Sequence, residues 1–305
     1  EVPLDQAVEL TFSEPMAAGT LTATNLWLED GGQRIAAEIT VDPSGETVTI
    51  TPDGDLDDSR EITVRASTAV TDMAGNGLAS AYTASFATVD LTPPGAVVLS
   101  PAPPSITNLA TIDISGYSEA GATVTIERGG SAVGTGTADG EGYFTIEVVL
   151  APNQANSLSI YAADAAGNVG PAITPSIIHD DIGPAVDTFY PADGAADIPP
   201  TQTVTITFDE PMKVSTIPTA NGAGATIRVE DESGIVPGSF SLNGAKTTVN
   251  FILAGAFADS AEVTVTVTTG VTDLAGNPPA AETSATFNIK DTTPPDPPVL
   301  DPVDS

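Results

Sequence analysis

The sequence predicts an all-β fold built from several β-sandwiches in tandem. Short runs alternate β-branched and polar residues, as in "ETVTITP" at 46–52, "TVTITF" at 203–208 and "EVTVTVTT" at 262–269. This two-residue period is typical of half-buried strands. Turn sequences such as "PSG", "DGEG" and "AGN" separate the runs, and no long stretch keeps a helical period. Several motifs also recur along the chain, which indicates repeated domains.

Proline clusters that follow an acidic residue mark the boundaries between domains. They read "VDLTPPG" at 89–95, "HDDIGP" at 179–184 and "KDTTPPDPP" at 290–298. Proline-rich linkers of this kind are stiff, and a chain of 305 residues with 41% hydrophobic content can build more than one core. The expected domains cover residues 1–91, 92–182 and 183–291, and residues 292–305 begin a further one.

Composition excludes several classes of partner. The chain has 41 acidic and 8 basic residues, so its net charge of -33 repels nucleic acid phosphates and anionic lipids. Such charge also opposes compaction unless cations offset it. The absence of cysteine excludes disulfides and thiolate metal sites. No apolar run reaches the roughly 18 residues of a membrane span, and the opening "EVPLDQ" suggests a piece of a longer protein.

Three motifs recur between the first and third domains. The recurring pairs are "FSEPM" (12–16) with "FDEPM" (208–212), "LWLED" (26–30) with "IRVED" (227–231), and "VTDMAGN" (70–76) with "VTDLAGN" (271–277). The first and third domains therefore share one subtype. The shorter middle domain has a looser form of the last motif, "AADAAGN" at 162–168, and belongs to a second subtype.

The F-x-E-P-M and T-D-x-A-G-N motifs, with D-x-T-P-P at the joints, resemble the bacterial immunoglobulin-like (Big-type) tandem repeat domains of giant surface adhesins and surface-layer proteins. The second joint departs from the pattern, since "DDIGP" lacks the threonine and the second proline. The resemblance implies seven-stranded Ig-like β-sandwiches strung end to end as a rod. It also implies an extracellular protein, at the bacterial cell surface or secreted, with joints stiffened by calcium.

Strand parity predicts where the recurring loops lie. In a seven-stranded sandwich each strand reverses direction, so loops after an even number of strands return to the pole where the chain enters. If "TVTITF" is the second strand and "EVTVTVTT" the sixth, the F-x-E-P-M and T-D-x-A-G-N loops share that pole with the incoming linker. We therefore expect each T-D-x-A-G-N loop to lie beside the joint with the preceding domain.

This convergence predicts clusters of carboxylates at the joints. The expected metal ligands are Asp90, Glu119 and Asp164 at the first joint, Asp180, Asp181, Asp209, Glu210 and Asp273 at the second, and Glu14 and Asp72 at a joint before residue 1. Several oxygen donors without histidine or cysteine suit calcium better than zinc or copper. Turn capping is the alternative role for the aspartate of T-D-x-A-G-N, and Glu14 and Glu210 could simply accept loop amides.

The acidic run "DGDLDD" at 53–58 is interpreted as a solvated loop. It resembles an EF-hand loop at first, but Asp58 occupies the position of the required glycine and Val64 that of the final glutamate.

The sequence offers no enzyme chemistry. The single histidine, His179, falls in a linker and is expected at the surface, so no Ser-His-Asp arrangement can form within a domain. Aromatic residues make up 5% of the chain, too few for the stacking platforms of a sugar-cleaving cleft. Trp27 either faces outward or packs under a neighbouring loop or on a lysine or arginine side chain. Met16 and Met212 are expected to pack in the core or under a loop.

The function indicated is that of a structural extender or stalk in a long repetitive bacterial surface protein. Two alternative functions remain open. One is a ligand-binding module of an adhesin that contacts a glycan or a protein through its loops or Trp27. The other is a surface-layer or filament subunit that contacts copies of itself laterally.

Further copies of the same repeat are the expected partners, in the same chain or by strand donation. Aligning "FSEPM" on "FDEPM" places Val2 opposite Ile198, past the first strand of the third domain. The segment at 298–305 is expected to fill that first-strand position in the next copy. A cell-surface or glycan ligand is expected elsewhere in the full protein.

Overall fold

The computed structural model describes residues 1–298, and the chain divides into two compact units. The first unit contains residues 1–101, 115–146 and 159–174, and the second contains residues 102–114, 147–158 and the chain from 175 onward. The division runs through the middle repeat, so the first linker lies in one unit and the second linker in the other. Apart from two short 3₁₀ turns, at Ala18–Thr20 and Val214–Thr216, the regular structure of the described residues is β-strand. The predicted all-β fold is confirmed.

The first repeat forms two sheets. Its strands are β1 (Val8–Thr11), β2 (Leu26–Asp30), β3 (Gln33–Ile35), β4 (Ala37–Val41), β5 (Thr47–Pro52), β6 (Glu61–Ala66) and β7 (Tyr82–Ala87). One sheet has the order β1-β5-β4 and the other the order β3-β2-β6-β7. All pairings are antiparallel.

The middle repeat contributes strands to both units. They are β8 (Val98–Leu99), β9 (Ile106–Thr107), β10 (Thr111–Tyr117), β11 (Thr123–Arg128), β12 (Ser131–Thr137), β13 (Tyr143–Val149), β14 (Gln154–Ala163) and β15 (Ser176–His179). Within the first unit β8 pairs with β10, and β11 pairs with β12. Within the second unit β15 pairs antiparallel with β14 and parallel with β9.

The third repeat repeats the plan of the first with more strands. They are β16 (Val186–Tyr190), β17 (Ala195–Ile198), β18 (Val204–Phe208), β19 (Ile227–Asp231), β20 (Gly234–Ile235), β21 (Gly238–Leu242), β22 (Thr248–Leu253), β23 (Glu262–Val267) and β24 (Thr283–Ile289). The sheet orders are β16-β18-β22-β21 and β17-β24-β23-β19-β20. The sheet that holds the F-x-E-P-M strand therefore has four strands here and three in the first repeat.

Strand alternation places the apolar residues of both sheets between them. In β18 the burial pattern alternates, and Val204, Ile206 and Phe208 are almost completely buried. Met16 and Met212 belong to the cores of their repeats, as predicted. Both methionines follow the glutamate and proline of F-x-E-P-M, so core packing fixes the position of that loop.

His179 corrects one expectation. The sequence places it in a linker at the surface, but β15 runs to this residue and its side chain is only 2% exposed. The backbone N–H of Asn153 donates to its Nδ1 atom at 3.1 Å. Ile177 and His179 point inward on alternate positions of the strand. The histidine is therefore a structural residue of the middle repeat.

Trp27 packs against a basic side chain. The Arg34 guanidinium lies 4.0 Å from the centre of the indole ring, within the range of a cation–π interaction. The indole N–H donates to Glu29 at 3.1 Å, and Arg65 donates to the same carboxylate at 2.7 Å. These contacts satisfy the indole on the face of the sheet.

Among the described residues, no helix has the length and apolar character needed to cross a membrane.

Candidate metal centre and linker contacts

The aspartate of each T-D-x-A-G-N loop caps its own turn. The Asp72 carboxylate accepts the N–H groups of Ala74 and Asn76, both at 2.8 Å. Asp164 and Asp273 accept the N–H of the equivalent asparagine at the same distance. The glycine before each asparagine has a positive φ, such as 99° at Gly276, which explains its identity.

The asparagine of this loop has a second role that the sequence interpretation missed. The Asn168 side-chain amide donates to the carbonyl of Asp90 in the first linker at 3.0 Å. The Asn277 amide donates to the carbonyls of Asp180 at 2.8 Å and Ile182 at 3.3 Å in the second linker. The recurrence of this asparagine, at the pole that strand parity assigns to the linker, was the available signal.

Asn277 is also held from the middle repeat. The amide of Asn108, which follows β9, donates to its side-chain oxygen at 3.1 Å. Asn277 is only 7% exposed, so water cannot readily replace the hydrogen-bond partners of its amide. This residue therefore connects the third repeat, the linker and a loop of the middle repeat.

Two glycines allow the close approach of each linker to the loop region. A Cβ atom on Gly170 would collide with the backbone carbonyl of Pro94, and one on Gly183 would collide with that of Pro278. In each case both the glycine and the atom it meets belong to backbone, which cannot move aside as a flexible side chain would.

The preceding repeat holds its outgoing linker through an aspartate. Asp58 accepts the hydroxyl of Thr92, the threonine of D-x-T-P-P, at 2.7 Å. Asp259 accepts the hydroxyl of the equivalent Thr293 and also that of its neighbour Thr292, the latter at 2.6 Å. These hydrogen bonds from the threonine hydroxyls lower the pKa of both carboxyls, that of Asp259 well below its usual range. The D-x-T-P-P threonine is thus a linker anchor. Asp58, in the loop at 53–58 that the sequence predicts to be solvated, thus also holds the linker.

One group of carboxylates comes together at the second joint. One oxygen from each of Asp180, Glu210 and Asp273 lies within 4.8 Å of the other two. Asp180 comes from the linker, Glu210 from the loop after β18 and Asp273 from the T-D-x-A-G-N loop. Met212 forms a bridge with Asp273 and is fully buried, so the core fixes the separation of the last two elements.

The electrostatics of this acidic cluster favour a cation. Burial, then the charges of Asp273, Asp180 and Asp209, raises the pKa of Glu210 to about 7. The salt bridges found among residues 1–298 involve Asp30, Glu29 and Glu230, and none of them includes a carboxylate of this cluster. Two oxygens that each lie about 2.4 Å from one calcium ion are at most about 4.8 Å apart. The donor set and its spacing therefore fit a calcium ion, with further oxygens supplied by backbone or water.

The remaining candidate ligands lie outside this cluster. Asp181 and Asp209 are exposed, and the Asp209 carboxylate accepts the Ala185 N–H at 2.8 Å. In the first joint, Asp90, Glu119 and Asp164 do not form a comparable group among the described residues. The Asp90 carboxylate accepts the Thr92 N–H instead, at 3.1 Å. Glu14 and Asp72 line one open cleft of about 180 Å³ in the first repeat.

We expect stability without metal to fall as pH rises from about 5 to 8. The folded pKa of Glu210, about 7, lies above its ordinary value of 4.5, so the folded state binds the proton more tightly. This contribution is complete below about pH 4.5 and is lost as pH rises through 7. Allowing for solvent screening, the loss is about 1 to 2 kcal/mol.

Thermal unfolding in chelator across this pH range measures the effect. The Glu210→Gln variant is the control, because it removes only this carboxyl. Identical pH slopes for the chain and the variant would contradict the assignment.

The comparisons identify similar sequences and structures. Residues 1–88 and 180–289 match the family described as "Bacterial Ig-like domain", and residues 100–177 match "Bacterial Ig domain". No curated protein is matched by the chain.

The solved structures that match this chain have low sequence identity. The structure of surface layer protein SbsC, domains 1-6, has 13% identity and a TM-score of 0.25, with coverage of 96% of this chain and 53% of that one. The biofilm associated protein BSP domain has 12% identity and a TM-score of 0.23, with coverage of 97% and 61%. The ICAM-5 D1-D4 ectodomain fragment has 14% identity and a TM-score of 0.40, with coverage of 95% and 74%. This chain thus spans about half the length of the surface-layer structure.

Proposed function

Because the chain belongs to the bacterial immunoglobulin-like domain family, we propose that it is an extension segment of a cell-surface or secreted bacterial protein. Its task is to hold tandem sandwiches at a defined spacing and to transmit force between the ends. The observation that carries this proposal is that the first linker is gripped by both neighbouring repeats. Asp58 holds Thr92 from one side and Asn168 holds the Asp90 carbonyl from the other. A merely connecting linker needs neither contact.

Calcium at the second joint is the finer part of the proposal. The linker "DDIGP" lacks the threonine that anchors the other linkers, and on the side of the middle repeat it donates the Asp181 N–H to the Asn153 side chain at 2.9 Å instead. The cluster of Asp180, Glu210 and Asp273 supplies carboxylates from three separate segments to one point. An ion bound there joins the linker to both loops of the third repeat and offsets their mutual repulsion.

We expect about 1 mM calcium to stabilise the chain by about 0.4 to 1.4 kcal/mol, assuming a dissociation constant of about 10⁻⁴ to 10⁻³ M as in extracellular modules. Thermal unfolding and small-angle X-ray scattering, each in calcium and then in chelator, test the expectation. The melting temperature should rise in calcium. The scattering profile in calcium should fit a narrower range of conformations than the profile in chelator.

The control is the Glu210→Gln variant, which keeps the shape of the side chain and removes its charge. It should lose most of the calcium response, and in chelator above pH 7 its melting temperature should be at least that of the unchanged chain, because the neutral amide removes the repulsion. Equal responses in the chain and the variant would exclude this cluster as the binding site. The absence of any calcium response would leave extension dependent on the direct linker contacts alone.

The rival function as a ligand-binding module has weaker support in the first repeat. A cleft of about 340 Å³ is lined by Trp27, Arg34 and Asp53 among others. Aromatic rings bind sugars through an open face, but Arg34 stacks on the Trp27 ring at 4.0 Å. The residue most suited to a glycan is therefore already engaged within the protein.

A further inference from the structure

The first repeat leaves one edge of strand β4 unpaired. Strand β4 pairs with β5 on one side, and no residue within 1–298 pairs along its other side. The Asp53 N–H donates to the Ala36 carbonyl on the β5 side. Because successive residues of a strand face opposite sides, the Ala37 carbonyl and the Ile39 N–H face the unpaired edge. Such an edge can accept another strand.

The third repeat covers the same edge with its own chain. The matching motifs "LWLED" and "IRVED" make β21 the equivalent of β4, with Ser239 in the place of Glu38. A backbone bridge joins Ala220 to Ser239, and the backbone hydrogen bonds on either side of this bridge measure 3.0 and 3.2 Å. Residues 219–221 therefore form a short added strand on β21.

A difference in loop length explains why the first repeat has no such strand. Between F-x-E-P-M and the following motif, the first repeat has residues 17–25, whereas the third has the longer stretch 213–226. The added strand at 219–221 lies in this longer stretch. The first repeat therefore lacks the segment that would cover β4.

A cleft of about 340 Å³ lies where this segment is absent, and its apolar lining consists of Leu26, Ile35, Ala37, Ile39 and Ile50 together with Trp27 and two further alanines. Burial shows the same difference between the repeats. Ile35 and Ile39 are partly exposed, whereas the equivalent Val236 and Phe240 are only 4% and 8% exposed. The cleft thus offers an apolar floor beside an edge that can hydrogen-bond, which are the two requirements of an added strand.

The third repeat also sets the register of an added strand. Its hydrogen bonds flank the pair of Ala220 and Ser239, so these two side chains lie close together on one face. In the first repeat, the central residue of an added strand would meet Glu38 in the same way. Glu38 is exposed, and none of the salt bridges found among residues 1–298 includes it. The residues on either side of the central one would point into the apolar cleft.

We propose that the open edge of β4 binds an extended segment of a partner protein in which one basic residue lies between two apolar residues. The apolar side chains fill the cleft, and the basic side chain pairs with Glu38 across the strands. Asp53 is exposed and also lines the cleft, which adds a second carboxylate beside the segment. The net charge of -33 repels a second copy of this chain and attracts a basic partner. This contact goes beyond the proposed function, since it gives the first repeat a partner and requires no calcium.

A capped peptide of sequence Gly-Ser-Thr-Val-Lys-Val-Thr-Ser-Gly tests the proposal. Trp27 is the single tryptophan of the chain and lines the cleft, so its fluorescence reports binding. In chelator and low salt, excess peptide should slow hydrogen exchange at the Ile39 N–H by at least about tenfold. The Thr40 N–H faces β5 and should not change. The same peptide with glutamate in place of lysine should bind about tenfold more weakly, because it places like charges opposite each other.

The Glu38→Lys variant is the matched control. Because Glu38 is exposed, the variant should keep its melting temperature. Its preference should be inverted, so that the glutamate peptide binds more tightly than the lysine peptide. The absence of Ile39 protection by the lysine peptide, or the same preference in the chain and the variant, would overturn the proposal.

A second variant fills the cleft from within the chain. Replacing residues 22–24 by residues 218–225 supplies the segment that covers β21 in the third repeat. This variant should protect the Ile39 N–H without peptide and should no longer bind the lysine peptide. Peptide binding that survives in a variant with a protected Ile39 N–H would place the peptide elsewhere and overturn the proposal. Because chelator is present throughout, a failure of the calcium proposal leaves these results unaffected.

Discussion

Replacing Asp273 by alanine is expected to destabilise the third repeat by about 3 kcal/mol, the largest loss for any single change at a joint. The Asp273 side chain is fully buried and accepts the N–H of Gly276 at 2.6 Å, the N–H of Asn277 at 2.8 Å and the Asn277 amide at 2.8 Å. Removing the carboxylate deprives the N–H groups of Gly276 and Asn277 of their acceptor and leaves the Asn277 amide only its linker carbonyls, at a place where Asn277 is 7% exposed. Part of the loss is recovered, because Glu210 is then freed from one neighbouring negative charge.

Asp72→Ala is the matched control for this experiment. Asp72 makes the same turn in the first repeat, but Asn76 is exposed and its freed donors can bind water. The loss there should be about 1 kcal/mol. Urea unfolding, followed by hydrogen exchange in each repeat, separates the two effects in a chain with several cooperative units. Equal losses of stability in the two variants would mean that the Asp273 loop of the third repeat is not buried in solution.

The convergence of the loops could be predicted because it depends on strand direction alone. Alternation in "TVTITF" and "EVTVTVTT" identifies two strands, and counting reversals places the following loops at one pole. The bridge between Met212 and Asp273 confirms this meeting in the third repeat, and that between Met16 and Asp72 confirms it in the first. Neither inference needs the position of a side chain.

The partners of individual side chains could not be predicted in this way. Asn168 and Asn277 tolerate the turn conformation, which already explains their presence, so their recurrence at the linker pole does not by itself reveal which linker carbonyls their amides bind. For the same reason, the sequence alone could not decide between turn capping and metal ligation for the aspartate of this loop. Turn capping and metal ligation use the carboxylate of the same loop. Only the distance to the carboxylates of other segments separates the two roles, and it is short for Asp273, which lies beside Glu210, but not for Asp164.

The prediction that His179 lies at the surface was wrong because it placed the end of a strand too early. The proline at residue 184 suggests a linker that begins at "HDDIGP", yet β15 extends through the histidine. The alternation of "SIIH" places Ile177 and His179 on the same face, whereas the acidic residues that follow are typical of a linker. The two sequence signals therefore point to different places for His179.

Replacing Gly183 by alanine is expected to disrupt the second joint at a cost of about 2 kcal/mol. Gly183 is not among the residues with positive φ, so alanine is compatible with its backbone conformation. The effect comes instead from the collision of the new Cβ with the Pro278 carbonyl. Because both groups belong to backbone, the linker must move away from the loop. That movement lengthens the hydrogen bonds from Asn277 to the carbonyls of Asp180 and Ile182.

Gly255→Ala provides the comparison for Gly183→Ala, because a Cβ there meets no atom within 4 Å and its φ is not positive. It should change stability by no more than about 0.5 kcal/mol. Hydrogen exchange over residues 180–183 reports the linker directly, and calcium titration of both variants reports the acidic cluster. If the linker carries Asp180 away from Glu210 and Asp273, the Gly183 variant should lose its calcium response although every ligand is still present. A full calcium response together with fast exchange in the linker would separate the two features, and it would show that the ion is held by the third repeat alone.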